Sequence, residues 1–430
     1  MPKLKPLRAA AFLIPEPGPK RIFALSTFIN TFGWGLVWTS MTLFLTKELD
    51  LSTRQVGLGM TLAGLVGLLG GMPIGDLADR RGPREIVRAV LLVQGIVTLC
   101  YVFVQGFFAF LVVVSLEVLC YSAYGAANGA LVRRVGGDDV VAYRSQNRAI
   151  ASLGMSIGTL FCGAAITIGT PLAYRSLIVG DAVTFLFSWA ILARIPRYEP
   201  LPKPEGRSGS RWVALSDAPF VAYVALGGLL SMQYWVITQP LPLWVVNNTH
   251  APRWSVSLFL LINTVLVVLF QARIGKSAGS IRAGGNALRR AGVMLLVSCS
   301  AIGLAVGLAG WAALLLLIGA VVLLTVAELW YVSGTYAFEF GLPPAHAQGQ
   351  YQGLSGIGVT LGATTAPILM VGVVLSLGQV GWVGLGVVFL LLGLVAPAVA
   401  RWGERTRPAE EAVSETPASN PQPAPVAAHD

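Results

Sequence analysis

The sequence predicts an all-α membrane protein: twelve transmembrane helices arranged as two pseudo-symmetric six-helix bundles. Three observations carry that expectation. Apolar residues make up 55% of the chain and charged residues only 12%, where an average soluble domain is about 25% charged. Apolar runs of about 18 residues or more recur from end to end, each long enough to cross a bilayer. Lysine and arginine collect in alternate connections between those runs, the distribution that orients membrane proteins.

The spans fall at about 21–45, 53–75, 85–105, 107–131, 143–169 and 173–195. A second set follows at about 217–245, 254–274, 287–309, 311–337, 345–375 and 380–401. The organisation is therefore an N-terminal arm (1–20), a first bundle (21–195), a linker (196–216), a second bundle (217–402) and a disordered tail (403–430). The linker is rich in Pro, Gly, Ser, Lys and Arg, as solvated connections are. The tail turns acidic and rich in Pro and Ala, which cannot build a core. In the arm, Pro15, Pro17 and Pro19 end a short apolar patch too early for a signal peptide, so the arm reads as a cytoplasmic lead-in.

With both termini placed in the cytoplasm, 26 Lys and Arg fall on the cytoplasmic side, against four outside: Lys47, Arg54, Arg175 and Arg253. That bias places a multi-pass protein in the cytoplasmic membrane. It also accounts for the net charge of +10 without a nucleic acid partner. Cys100, Cys120, Cys162 and Cys299 lie inside apolar runs with no metal-site spacing, and His250, His346 and His429 lie in loops or the tail. No nucleophile–base pair, no metal-ligand cluster and no Gly-x-x-x-x-Gly-Lys-Ser/Thr nucleotide loop is present, which argues against an enzyme, a cofactor, a bound metal or ATP as energy source.

The most charged stretch of the chain lies between the second and third spans, Gly75-Asp76-Leu77-Ala78-Asp79-Arg80-Arg81-Gly82-Pro83-Arg84. Ionised groups cost about 2.5–3.5 kcal/mol each at the centre of a membrane helix, so this stretch is expected to be a tight interfacial loop. Its spacing, Gly-x-x-x-Asp-Arg-x-Gly-x-Arg, resembles the loop between helices 2 and 3 of the major facilitator superfamily, with Pro83 replacing one basic residue. A worn copy follows about 200 residues later, Gly275-Lys276-Ser277-Ala278-Gly279-Ser280-Ile281-Arg282, and Gly154 and Gly158 recur as Gly358 and Gly362. Related halves place a substrate path between them. The resemblance covers nearly the whole ordered chain, includes Gly349-Gln350-Tyr351-Gln352-Gly353, and is of an actinobacterial kind, in line with 24 Arg against 6 Lys.

The resemblance implies a gate. Gly75, Asp79, Arg80, Gly82 and Arg84 hold its motif positions. In that family Asp79 would face the start of helix 11, here expected at Pro343-Pro344, with Arg80 and Arg84 as supporting charges and Arg144 paired to the same loop. Gly67, Gly71 and Gly75 repeat every four residues and let a neighbouring helix approach closely. Glu117, Glu328 and Asp181 are acids inside spans, which are functional hypotheses by default. Glu117, Tyr121, Tyr124 and Asn128 form one polar stripe, and Thr325, Glu328, Tyr331 and Thr335 another. The family's helices 1, 4, 7 and 10 line its cavity, so Glu117 and Glu328 become candidates for proton coupling, with Asp181 the more structural of the three. Asn30, Trp34, Trp38 and Met41 share a face of the first span, and Ser231, Tyr234, Trp235 and Thr238 of the seventh. From these faces the candidates for contact with substrate are Asn30, Trp34, Tyr121, Tyr124, Tyr234 and Tyr331.

Two features of the family's proton antiporters are missing: Tyr121 stands where an arginine precedes Gly125, and 149–168 contains no proline. The expectation is a monomeric transporter in the lipid bilayer, exchanging protons for a small apolar or amphipathic solute, with uptake of a metabolite as the near alternative. A sensor or intramembrane enzyme on the same scaffold is the remote one.

Overall fold

Hydrocarbon offers backbone amides no partner, so a membrane-crossing segment must satisfy them internally as a helix. The structure, a computed structural model, describes residues 14–38, 40–168, 170–201 and 212–407. Most of the N-terminal arm, the middle of the linker and the tail beyond 407 lie outside the described residues.

The first six crossings are α1 (Pro19–Trp38, continued by Met41–Lys47), α2 (Thr53–Gly67 and Gly71–Arg81), α3 (Pro83–Cys100), α4 (Gly106–Gly136), α5 (Val140–Ile168) and α6 (Pro171–Leu192). The second six are α7 (Ala218–Ser231, continued by Pro240–Asn248), α8 (Ser255–Gly275), α9 (Ile281–Leu304), α10 (Gly310–Gly341), α11 (Gln348–Pro367, continued by a π-helical stretch Ile368–Val374) and α12 (Gly378–Arg405). The two parts of α2 meet at a bend of 40°, and those of α7 at 42°.

The packing repeats with a shift of six helices. In the first bundle α1 packs on α5 and α6, α4 on α2 and α3, and α3 on α6. In the second, α7 packs on α11 and α12, α10 on α8 and α9, and α9 on α12. The glycines echoed in the sequence do the same job twice. Gly154 and Gly158 of α5 lie against the α1 backbone at Phe28 and Phe32, while Gly358 and Gly362 of α11 lie against α7 at Val224 and Gly228. Between bundles, α2 meets α11 and α5 meets α8, contacts that the same pseudo-twofold exchanges.

Several boundaries differ from the sequence reading. The 75–84 stretch is not a loop, because α2 stays helical through Arg81 and the reversal is confined to Gly82. Gly82 adopts φ +95°, open to glycine at little cost, and Pro83 starts α3 at a position that needs no backbone N–H. The α4–α5 reversal takes a three-residue 3-10 turn, Gly137–Asp139, entered at Gly137 with φ +63°. Before α11, Ala345–Ala347 form a 3-10 turn and the helix begins at Gln348 rather than at Pro343-Pro344. The last helix outruns the expected end at 402, and Arg407 beyond it donates to the Leu342 carbonyl (2.6 Å) and pairs with Asp217 (2.5 Å).

Candidate functional site

The end of the molecule carrying the 75–84 segment is rich in arginine and is called here the basic end. There the bundles touch through bare backbone. A Cβ on Gly75 would collide with the Gly349 carbonyl, and one on Gly71 would press on Gly353, each pair being reciprocal. Gly67, the third of the series, instead faces Val118 of α4, because α2 bends after it. Gly275 of α8 lies as tightly against Ser145 of α5, and Gly129 of α4 against Gln352 of α11.

Asp79 sits over the first turn of α11. Its Oδ1 accepts from the Gly349 N–H (2.8 Å) and its Oδ2 from the Gln350 N–H (3.1 Å). These are donors that a helix N-terminus leaves without intrahelical partners, and the helix dipole favours a carboxylate there. Asp76, one turn earlier, accepts from the Gln350 side chain (2.7 Å) and pairs with Arg80 (2.9 Å). The remaining motif arginine points elsewhere. Arg84 donates to the carbonyls of Leu192 (3.2 Å) and Ala193 (2.7 Å), tying α3 to the end of α6. Arg144 is not beside this segment; Arg134 supplies the nearby positive charge for Asp79.

Above this seal lies a cavity of about 410 Å³, within the range of small-molecule sites. Both bundles line it. The expected candidates Asn30, Trp34, Tyr121, Tyr124, Tyr234 and Tyr331 all face it. Trp34 and Tyr121 contact at 4.7 Å between ring centroids, Tyr234 and Tyr331 at 5.5 Å. The Trp38 side chain lies outside what the structure describes, and Met41 packs into apolar clusters of the first bundle.

The intramembrane acids part company here. Glu117 does not line the cavity. It accepts from Gln94 (3.0 Å) and Thr98 (3.2 Å) of α3. The reason is geometric: a 31-residue α4 is about 46 Å long, so one stripe meets α3 at one height and the cavity at another. Asp181 is buried behind α1, close to Gly33 and Thr184. Glu328 lies between bundles. It pairs with Arg148 of α5 (3.2 Å) and accepts from Asn263 of α8 (2.9 Å), and its side chain is only 14% exposed.

Three cavity groups escaped the sequence reading. Arg148 lies over the Tyr234 ring (5.3 Å) as well as against Glu328, and Arg144 lies over Tyr336 (5.5 Å). Both count among the 26 Lys and Arg that the sequence assigns to the cytoplasmic side, although they stand one and two turns inside α5. The sequence pattern ends the tenth span at 337, whereas α10 runs on to Gly341 and includes Glu339. It accepts from Ser355 (2.6 Å) and Tyr223 (3.2 Å) at the cavity wall.

The comparisons agree with this geometry. The chain is similar to an uncharacterized MFS-type transporter, YdeE, of Escherichia coli strain K12, at 26% identity over 89% of this chain and 95% of that protein. Its fold matches the crystal structure of a bacterial homologue of the iron transporter ferroportin in an outward-facing state, with TM-score 0.72 and 15% identity over 90% of this chain and 99% of that one. It also matches the transporter FucP in the outward conformation, with TM-score 0.63 and 14% identity over 88% and 98% of the two chains. The family description Major Facilitator Superfamily matches residues 23–367, most of the helical chain. With that match over most of the chain, on two six-helix bundles joined by glycine-rich seams at one end and enclosing a cavity above them, this chain belongs to the major facilitator superfamily and is a multi-pass membrane transporter.

Proposed function

We propose that the protein exports a small apolar or amphipathic organic compound from the cytoplasm in exchange for protons, by alternating access between bundles 21–195 and 217–402. The observation that carries the reading is the cavity lined from both bundles and closed at one end by contacts that can separate: helix backbones in van der Waals approach and a carboxylate on a helix N-terminus. The positive-inside bias puts the basic end and both termini in the cytoplasm. The conformation is then outward-open, with Asp79 holding the cytoplasmic gate.

Glu328 is the proposed proton site, because its ion pair with Arg148 bridges the bundles. A proton on Glu328 removes the charge that holds α10 to α5. Glu117 and Asp181 make their contacts inside the first bundle, where a proton leaves the bridging pair unchanged. The aromatic walls suit an amphipathic solute, no ATP is required, and one chain in the bilayer contains the whole cavity, so a monomer suffices.

Uptake is the second reading, and the same pair favours it. A proton on Glu328 frees the Arg148 guanidinium, so a proton and an anionic solute would bind together, as in symport. Accumulation of amphipathic fluorescent dyes by cells making the protein, with and without a protonophore, separates the readings. Export predicts lower dye content that the protonophore and Glu328→Gln both restore. Higher content abolished by the protonophore selects uptake. Transport indifferent to the protonophore and to Glu328→Gln refutes coupling at this site.

A further inference from the structure

The charges lining the cavity are unevenly matched. Arg144 and Arg148 stand four residues apart on α5 and both line it. Like charges at that spacing repel on a helix, and positive-inside anchoring does not require either one to face a cavity. Arg148 has its counterion in Glu328, yet its buried Nε has no partner. Glu339 is the acid in the lining, and its Oε1 is engaged by the hydroxyls of Tyr223 and Ser355. Arg144 makes no ion pair or hydrogen bond among the described residues. It has the face of Tyr336, and Glu339 lies beyond ion-pair reach though near enough to feel its charge.

Resting on the transport reading of this cavity, we propose that the substrate is an organic anion, its carboxylate or comparable acidic group held by Arg144 and the free edge of Arg148. A guanidinium presents a planar fork of donors that matches a carboxylate in two parallel bonds. The body of the solute lies along Trp34, Tyr121 and Tyr331, and the side-chain amides of Asn30, Asn128 and Asn147, each with one buried atom lacking a partner, take its polar substituents. An organic cation is disfavoured twice. It meets two like charges on α5, and the ring faces of Tyr234 and Tyr336, which could hold it by cation–π attraction, are already covered by Arg148 and Arg144.

Three probes share a dansyl body and differ in charge: dansylglycine (anion), dansylamide (neutral) and dansylcadaverine (cation). Their binding to the detergent-purified full chain is read by tryptophan-to-dansyl energy transfer, on material that elutes as a single species. The expected result is dansylglycine bound about tenfold or more tighter than the other two, as a charged hydrogen bond supplies. That preference disappears in Arg144→Gln and survives in part in Arg144→Lys. A preferred cation, equal binding, no binding of any probe, or an unchanged ranking in Arg144→Gln overturns the proposal. Should Arg144→Gln not fold, the wild-type ranking and Arg144→Lys decide. Binding without counterflow in liposomes would sink the transport reading and leave the anion site, whereas counterflow of dansylcadaverine without anion preference would do the reverse.

Discussion

Replacing Asp79 by Asn keeps the size of the side chain and removes its charge, which isolates what the carboxylate does at the seam. Asp79 accepts from two N–H groups of α11, at 2.8 and 3.1 Å. Hydrogen bonds to a charged acceptor contribute about 1.5–3 kcal/mol, neutral ones about 0.5–1.5 kcal/mol. Asparagine retains one oxygen, and its amide then confronts the second N–H donor to donor. Even at the low end of those ranges, with the lost attraction of the helix N-terminus added, the closed seam is weakened by about 2 kcal/mol. At about 1.4 kcal/mol per factor of ten, the ratio of closed to open seam falls roughly thirtyfold. Spin labels on Asp138→Cys and Ser277→Cys, both exposed at the basic end, report that ratio through electron–electron distances once Cys100, the exposed native thiol, is made serine. A longer-distance population should grow accordingly. An unchanged distance distribution, or a protein that is simply less stable by the same amount, refutes the latch.

Other substitutions test the neighbouring contacts. Gly75→Val places a branched side chain against the Gly349 carbonyl, a backbone atom that cannot step aside; overpacking of about 1–3 kcal/mol should move the same spin-label distance outward while leaving the unfolding midpoint of the open form nearly unchanged. Glu117→Gln should leave the response of transport to a protonophore intact, whereas Glu117→Leu strands the Gln94 and Thr98 donors and should lower stability by about 1–3 kcal/mol in thermal unfolding. Arg407→Ala removes the Asp217 pair and the bond to the Leu342 carbonyl. Detergent-purified protein should lose about 1–3 kcal/mol of stability, and limited proteolysis should cut sooner near the end of α12.

The sequence states most plainly what hydrocarbon forbids. Charges mark the basic ends of the crossings as far as Arg290, but residues 291–400 hold no Lys or Arg, and there only breaks in the apolar pattern at Gly and Pro place the helix ends. Glycines at intervals of four mark close approach, and Gly71 and Gly75 do meet α11, although Gly67 showed that spacing cannot name the partner. The Gly82–Pro83 pair held enough information to confine the reversal to one residue, yet the charged composition around it suggested a loop. Glu117 was harder. A polar stripe says that something polar covers that face, and a water-filled cavity and the donors of α3 satisfy the demand equally. The partner of Glu328 was legible only in part: Arg148 stands eight residues inside α5, about 12 Å from its start, which is deep for an anchoring charge. Asn263, an amide in the middle of the apolar run of α8, was the second available signal.

The two seams between the bundles are related by symmetry but not by chemistry. Where α2 meets α11, Asp79 aims a carboxylate at a helix terminus. In the worn copy the corresponding residue is Gly279, and Gly275 meets Ser145 by packing alone. The second seam has its ionic element elsewhere, in Arg148 three residues beyond Ser145 on α5, paired with Glu328. In the first seam Asp79, with Asp76 beside it on the Gln350 side chain, is fixed by backbone, while Glu328 in the second is held by a side-chain cation beside the cavity. If the bundles move as rigid bodies, neither seam can open without the other, and both carboxylates bias one and the same equilibrium. Their effects should then add in free energy, as they do for sites without shared partners. The double variant Asp79→Asn/Glu328→Gln should multiply the single shifts in the spin-label ratio, with a discrepancy no larger than about 0.5 kcal/mol. A larger discrepancy would mean that the helices bend and the seams open independently, and protonation of Glu328 could not then be felt at Asp79.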